Sequence, residues 1–215
     1  MQKAYFYQDT VDTEKSFIYL VSTPENFDRE KEQLPLIVFL HGAGERGDNV
    51  DLVKVHGVPR FFDKESPVRA VTLSPQCKYD MVWNSQVYAV KRLIDKVADE
   101  YNVDKDRISI TGISMGGFGT WEMGVTFPGY FSALAPICGG GMSWRAPCIG
   151  KTPVWAFHGD MDDCVEPMYS EVMVNSINRA GGNAKLTIYK GVYHDAWVNA
   201  YEKEDLFNWL IEQKR

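Results

Sequence analysis

Apolar residues along this chain fall into two kinds of run that alternate. Leu36–Leu40 (LIVFL) is continuous, as expected of a strand buried on both faces. Short runs of the same kind recur at Val68–Leu73, Ile108–Thr111, Ala133–Ile137, Val154–Phe157 and Leu186–Tyr189. Between them the apolar positions return at helical spacing. Val90, Leu93, Ile94 and Val97 mark one face of a helix over Gln86–Tyr101, and Gly117–Phe127 and Pro167–Ala180 predict two more. Gly181-Gly182 stops the last of these, and a helix over Glu202–Lys214 closes the chain with Leu206, Trp209 and Leu210 on one face. Ahead of Pro35, Lys3–Gln8 and Phe17–Ser22 predict two further strands, followed by a polar loop. The alternation predicts an α/β fold over a single domain, residues 1–215: a mostly parallel central sheet with helices on both faces. In such sheets ligands bind at the carboxyl ends of the strands, so candidate chemistry is sought just after each apolar run.

Composition narrows the classes. Of 215 residues, 45% are hydrophobic and 24% charged, which is ordinary for a globular chain. The formal net charge of -6 argues against a nucleic-acid partner, whose footprint would be a basic stripe. No apolar run reaches the ~18 residues of a membrane span, so no membrane partner is expected. The N-terminal stretch MQKAYFYQDTVDTEKSF has no apolar core of a secretory signal, and a cytoplasmic location is the expectation. Cys77, Cys138, Cys148 and Cys164 form no C-x-x-C pair and fit no zinc spacing. They are expected as free thiols, with a Cys138–Cys148 bridge left open.

Three strand ends carry reactive side chains. Gly112-Ile113-Ser114-Met115-Gly116 matches G-x-S-x-G between the run RISIT and a predicted helix. A sharp strand-to-helix turn would lift the Ser114 hydroxyl above the sheet, and the glycines remove side chains that would clash there. His158-Gly159-Asp160-Met161-Asp162-Asp163 follows the run VWAF and offers three carboxylates. Gly191-Val192-Tyr193-His194 follows the run LTIY. Serine, then an acid near 162, then His194 is the chain order of the α/β-hydrolase triad.

Gly42-Ala43-Gly44-Glu45-Arg46-Gly47 after LIVFL matches the dinucleotide fingerprint G-x-G-x-x-G. That reading requires a long helix behind the third glycine and an acid at the next strand end. The segment after Gly47 is polar and broken by Gly57 and Pro59, and no acid ends the next run near Ser74. His41-Gly42-Ala43-Gly44 is better suited to an oxyanion hole facing Ser114. Glu45 and Arg46 are expected as a structural ion pair, with a pocket-lining role as the alternative.

Five segments together resemble the phospholipase/carboxylesterase branch of the α/β-hydrolases, and within it the "predicted peptidase" or prolyl-oligopeptidase-like esterases. They are HGAGERGD (41–48), GISMGGFGTWEM (112–123), PICGG (136–140), PVWAFHGDMDD (153–163) and GVYHDAW (191–197). The resemblance implies Ser114 as nucleophile and His194 as general base. It implies Asp162 as the acid, at the fifth position of H-G-x-x-D-x-x-V-P. This chain runs Val165-Glu166-Pro167, one residue longer than that pattern, so Asp160 and Asp163 stay open as alternatives. It also implies the amides of Ala43 and Met115 as the oxyanion hole, and Trp83 at the border of the acyl pocket. Apart from the resemblance, Gly42 would let the backbone approach the substrate carbonyl, and Trp83, Trp144 and Trp197 are candidates to stack on an aromatic acyl group or a sugar. No metal or cofactor is expected.

The implied activity is that of a serine carboxylesterase acting on small-molecule esters with short or aromatic acyl groups. A peptidase or amide hydrolase using the same triad is the second reading, and a binding protein that has kept the fold is the third. Serine at position 114 excludes a cysteine-nucleophile lactone hydrolase. The longest segment available to cover the site, Gly139–Thr152 with Trp144 and Arg145, is too short for a large lid. A homo-oligomer is compatible with the sequence.

Overall fold

The computed structural model describes residues 2–12, 15–62 and 67–215. Its eight strands are β1 (Gln2–Gln8), β2 (Ser16–Ser22), β3 (Leu36–Leu40), β4 (Val71–Pro75), β5 (Ile108–Ile113), β6 (Ala133–Ile137), β7 (Val154–Gly159) and β8 (Ala184–Tyr189). They form one sheet in the order β1-β2-β4-β3-β5-β6-β7-β8. β1 and β2 run antiparallel at one side, and every pairing from β4 to β8 is parallel. The helices are α1 (Gly57–Phe61), α2 (Val87–Glu100), α3 (Met115–Thr126), α4 (Met168–Arg179), α5 (Ala196–Glu202) and α6 (Leu206–Glu212). This is the α/β-hydrolase fold.

The run LIVFL explains why helices are needed on both faces. In a strand successive side chains point to opposite sides. Leu36, Val38 and Leu40 enter one core with Val90, Leu93, Ile94 and Val97 of α2. Ile37 and Phe39 enter the other with Tyr201 of α5 and Leu206, Phe207 and Leu210 of α6. All five strand residues are fully buried, and each contributes about 1.5–3 kcal/mol by leaving water. The register aligns Leu36 with Ile108 of β5 and Val71 of β4, so the carboxyl ends of β3 and β5 rise side by side.

Two expected elements differ, and one helix is new. The strand expected from Val68 begins at Val71, whose amide is the first to join the sheet, donating to Pro35 O at 2.9 Å. The single helix expected over Glu202–Lys214 is two, α5 and α6, separated by residues 203–205. Lys203 closes α5 through its amide to Asn199 O, and Asp205 precedes α6 while accepting from Asn208 Nδ2 at 2.7 Å. The break lets Tyr201 and Phe207 stack with ring centroids 5.6 Å apart. Helix α1 was not expected between Gly57 and Pro59. It forms because Gly57, at φ +62°, lets the chain turn against the ring of Phe39, where a Cβ would come within 2.2 Å.

Candidate active site

Ser114 stands between β5 and α3 with φ 52° and ψ -117°, a conformation costly for any residue with a side chain. Close packing holds it there. A Cβ on Gly116 would lie 1.8 Å from Leu40 O, and one on Gly112 would lie 2.3 Å from Gly116 O. Only glycine at these two places lets the first turn of α3 rest against the end of β3. The Ser114 amide donates to Ile137 O at 2.9 Å, which ties the turn to β6 as well.

His194 lies in the loop between β8 and α5. Its Nε2 is 2.8 Å from Ser114 Oγ and its Nδ1 is 2.7 Å from Asp162 Oδ2. Asp162 follows β7, and its side chain is fully buried. Its other oxygen, Oδ1, accepts the amides of Cys164 at 3.0 Å and Val165 at 2.9 Å. Burial works to raise the Asp162 pKa, but the Val165 amide, His194 and the Cys164 amide outweigh it and hold the carboxyl below its ordinary value. An ionised Asp162 can only accept, so the shared hydrogen bond places a proton on His194 Nδ1 and leaves Nε2 to accept from the Ser114 hydroxyl.

Of the three carboxylates left open by the sequence, the structure brings Asp162 to His194. Asp160 and Asp163 are exposed. Asp160 Oδ1 instead accepts from the Gly191 amide at 2.6 Å, which fastens the loop after β7 to the loop that carries His194.

The segment after β3 forms a 3-10 turn, Ala43–Glu45, and a second, Val50–Val55, in place of the long helix a dinucleotide site would require. Ala43 opens the first turn and Met115 opens α3, so neither amide has an acceptor within its own helix. His41 sets the shape of this loop. Its Nε2 accepts the Cys77 amide at 2.9 Å, so its proton is on Nδ1, which donates to Gly42 O at 2.6 Å. Burial pushes its pKa down to about 4, so the 3.8 Å approach of Glu45 Oε2 is not an ion pair near neutrality.

Trp83 is not where the sequence placed it. It is 1% exposed and lies beneath the 41–44 loop, with Nε1 donating to His41 O at 2.9 Å. Its buried indole is therefore a prop for the loop. Trp197 packs edge-on against the His194 ring, with centroids 5.4 Å apart, and Gly42 lies buried beside Ile113. Trp144 is 77% exposed in a loop that Arg145 pins to α3 through Glu122 Oε1 at 2.6 Å. Glu45 and Arg46 do not pair with each other. Arg46 Nε donates to Ala43 O at 3.0 Å and the guanidinium lies over Tyr79, while Glu45 Oε2 is buried and unpartnered.

Two neighbours of the site were named in the sequence analysis but given no part in it. His158 and Cys138 each bring an atom within 4.8 Å of the Asp162 carboxylate and of each other, a grouping that could hold a metal ion. Hydrogen bonds already engage the His158 and Asp162 atoms, so the cluster is accounted for without one. Neither was given a role because His158 reads as the first residue of the H-G-x-x-D segment and Cys138 as a free thiol. All four cysteines are free. Among the described residues no helix is long and apolar enough to cross a membrane.

The model of the Dienelactone hydrolase family matches residues 58–206. Poly(3-hydroxyalkanoate) depolymerase C of Paucimonas lemoignei is 30% identical over 86 residues, covering 35% of this chain and 20% of that protein. The bifunctional acetylxylan esterase/xylanase XynS20E of Neocallimastix patriciarum is 26% identical over 136 residues, covering 54% of this chain and 20% of its own length. The crystal structure of a thermostable esterase superposes with a TM-score of 0.87 at 32% identity, over 100% of this chain and 63% of that one. The chain thus spans about a fifth of the length of the curated relatives it matches.

Two outcomes are expected of this arrangement. If the turn at Ser114 is strained, Ser114→Gly will be more stable than Ser114→Ala by at least about 1 kcal/mol in urea unfolding. Equal stabilities would mean that no strain is held there. His41 takes up a proton near 6.5 when unfolded but only near about 4 when folded. Its contribution is therefore complete above about pH 6.5 and is lost as the pH falls toward 4, by about 3 kcal/mol in all. Urea midpoints for wild type should fall over that window more steeply than those of His41→Asn, and parallel curves would contradict the assignment.

Proposed function

The chain belongs to the dienelactone hydrolase family, and on that footing we propose that it is a serine carboxylesterase for small-molecule esters with short or aromatic acyl groups. One observation carries the reading: the unbroken run of hydrogen bonds from Ser114 Oγ through His194 to Asp162 at the carboxyl ends of β5, β7 and β8. A lactone is an internal ester, so the family description and this reading call for the same acyl transfer. The thermostable esterase among the similar structures supports it as well.

In the proposed reaction neutral His194 Nε2 takes the Ser114 proton as Oγ attacks the ester carbonyl. The carbonyl oxygen becomes an oxyanion held by the amides of Ala43 and Met115, which are fixed before the substrate arrives. Asp162 stabilises the imidazolium that forms and keeps the ring in the tautomer that presents Nε2 to serine. The imidazolium then protonates the leaving alcohol, and a water activated by the same Nε2 releases the acid and frees Ser114. Every proton moves through one nitrogen, and the step asks for no further reactant than water. Trp197, which packs against the His194 ring, is read as a contact for the substrate flank.

The test is a series of p-nitrophenyl esters from acetyl to palmitoyl, with a feruloyl ester and a matching p-nitroanilide. Hydrolysis should favour the short or the aromatic acyl esters over the long ones and over the anilide. Ser114→Ala should lower kcat/KM by about 10⁴-fold or more. Faster turnover of the anilide would replace the esterase reading with an amide hydrolase, and folded protein inactive on all of them would overturn it.

A further inference from the structure

Asp162 receives more donors than an acid that merely orients His194 would require. Oδ1 takes two backbone amides, and Oδ2 takes His194 Nδ1. On that same Oδ2, 3.2 Å away, lies a second imidazole nitrogen, His158 Nε2. His158 is fully buried at the end of β7 and has no path to substrate. Its Nε2 also lies 2.8 Å from Val165 O. A nitrogen facing a carboxylate oxygen and a carbonyl oxygen must carry a hydrogen, so the proton of His158 belongs on Nε2. On its far side, Nδ1 is 2.8 Å from Ser170 Oγ, at the start of α4, and that hydroxyl is 2.9 Å from Gly139 O. Ser170 has a single hydroxyl hydrogen, for which Nδ1 of a neutral ring competes with Gly139 O; burial, which pushes the His158 pKa below its ordinary value, favours that neutral ring.

We propose that His158 is a positioning residue for the triad: its Nε2–H, aimed by Ser170, fixes the Asp162 carboxylate in the rotamer that meets His194. The proposal rests on Ser114, His194 and Asp162 acting as described above. The physical argument concerns degrees of freedom. The two amides on Oδ1 sit two and three residues along the same loop, so they move with Asp162 and cannot anchor it to the sheet. His158 belongs to β7 and Ser170 to α4, and both are packed in the body of the protein. Through them the acid is referenced to the same sheet that carries Ser114. A carboxylate free to rotate would still bond to His194 at times, but an ångström of drift in a reacting group can cost about 10²-fold in rate.

Two substitutions separate this role from a purely structural one. In His158→Asn the amide reaches the place of Nδ1 but not that of Nε2, so the bond to Asp162 is lost. In His158→Gln the longer amide can present N–H where Nε2 stood. His158→Asn should lower kcat by about 10- to 100-fold with KM within about twofold, and His158→Gln should restore most of the loss. The downfield proton resonance of His194 Nδ1–H should shift in His158→Asn and return in His158→Gln. Wild-type kcat in His158→Asn, beside an inactive Ser114→Ala, overturns the proposal and leaves the triad standing. Activity that survives in Ser114→Ala overturns the triad and the proposal with it. A further readout needs no variant: two-bond ¹H–¹⁵N correlations of the wild-type histidines should find a hydrogen on His158 Nε2. A bare Nε2 overturns the proposal.

Discussion

The contact on which everything else turns is the approach of α3 to the end of β3. The helix begins so close to Leu40 O that no side chain fits at residue 116, and the chain must reverse within a few residues of leaving β5. That reversal forces Ser114 to φ 52° and raises its hydroxyl clear of the sheet. It also puts the Met115 amide at the start of a helix, where it has no acceptor within α3. The proposed nucleophile and the proposed anion-binding donor are thus set by one packing contact. The strain of a left-handed serine, of order 1–3 kcal/mol, is offset by the burial of β3, β5 and β6 around it.

The other site residues reach Ser114 because they leave neighbouring strands at the same height. β7 delivers Asp162, β8 delivers His194, and the loop after β3 delivers Ala43. Each loop is then fixed by bonds to its neighbours. Asp160 accepts the Gly191 amide, which links the acid's loop to the histidine's loop. Trp83 and the Cys77 amide hold His41, whose Nδ1–H in turn holds Gly42 O. A neutral, deeply buried histidine suits this work, because its two nitrogens accept and donate at once without introducing a charge.

Much of this could be read from the chain. LIVFL and ALAPI announce two-faced strands because burial on both sides removes polar positions, and ISIT keeps Ser109 and Thr111 only because their hydroxyls bond to Leu36 O and Ala135 O. G-x-S-x-G locates the turn because its glycines are a steric necessity there. The order of serine, acid and histidine left three aspartates open, and only the fold chose, by burying Asp162 and leaving Asp160 and Asp163 in solvent. Residues whose duties run through space were harder to read. Trp83 looked like a pocket wall, and what decides otherwise is a hydrogen bond to His41, 42 residues away in the chain. His158 looked like part of a strand-end signature, since nothing local shows that its Nε2 meets a carboxylate. The break between α5 and α6 was hidden because Lys203, Glu204 and Asp205 are not helix breakers; stacking of Tyr201 on Phe207 draws the two segments apart from a single axis.

The central claim is that Ser114 is activated by His194 within this constellation, and a serine-directed phosphonate ester tests it without any assumption about substrate. Intact-mass measurement and peptide mapping of the treated protein should find one adduct per chain, on Ser114, with labelling strongly suppressed in His194→Ala. A folded protein that takes no label, or takes it on another residue, would contradict the account.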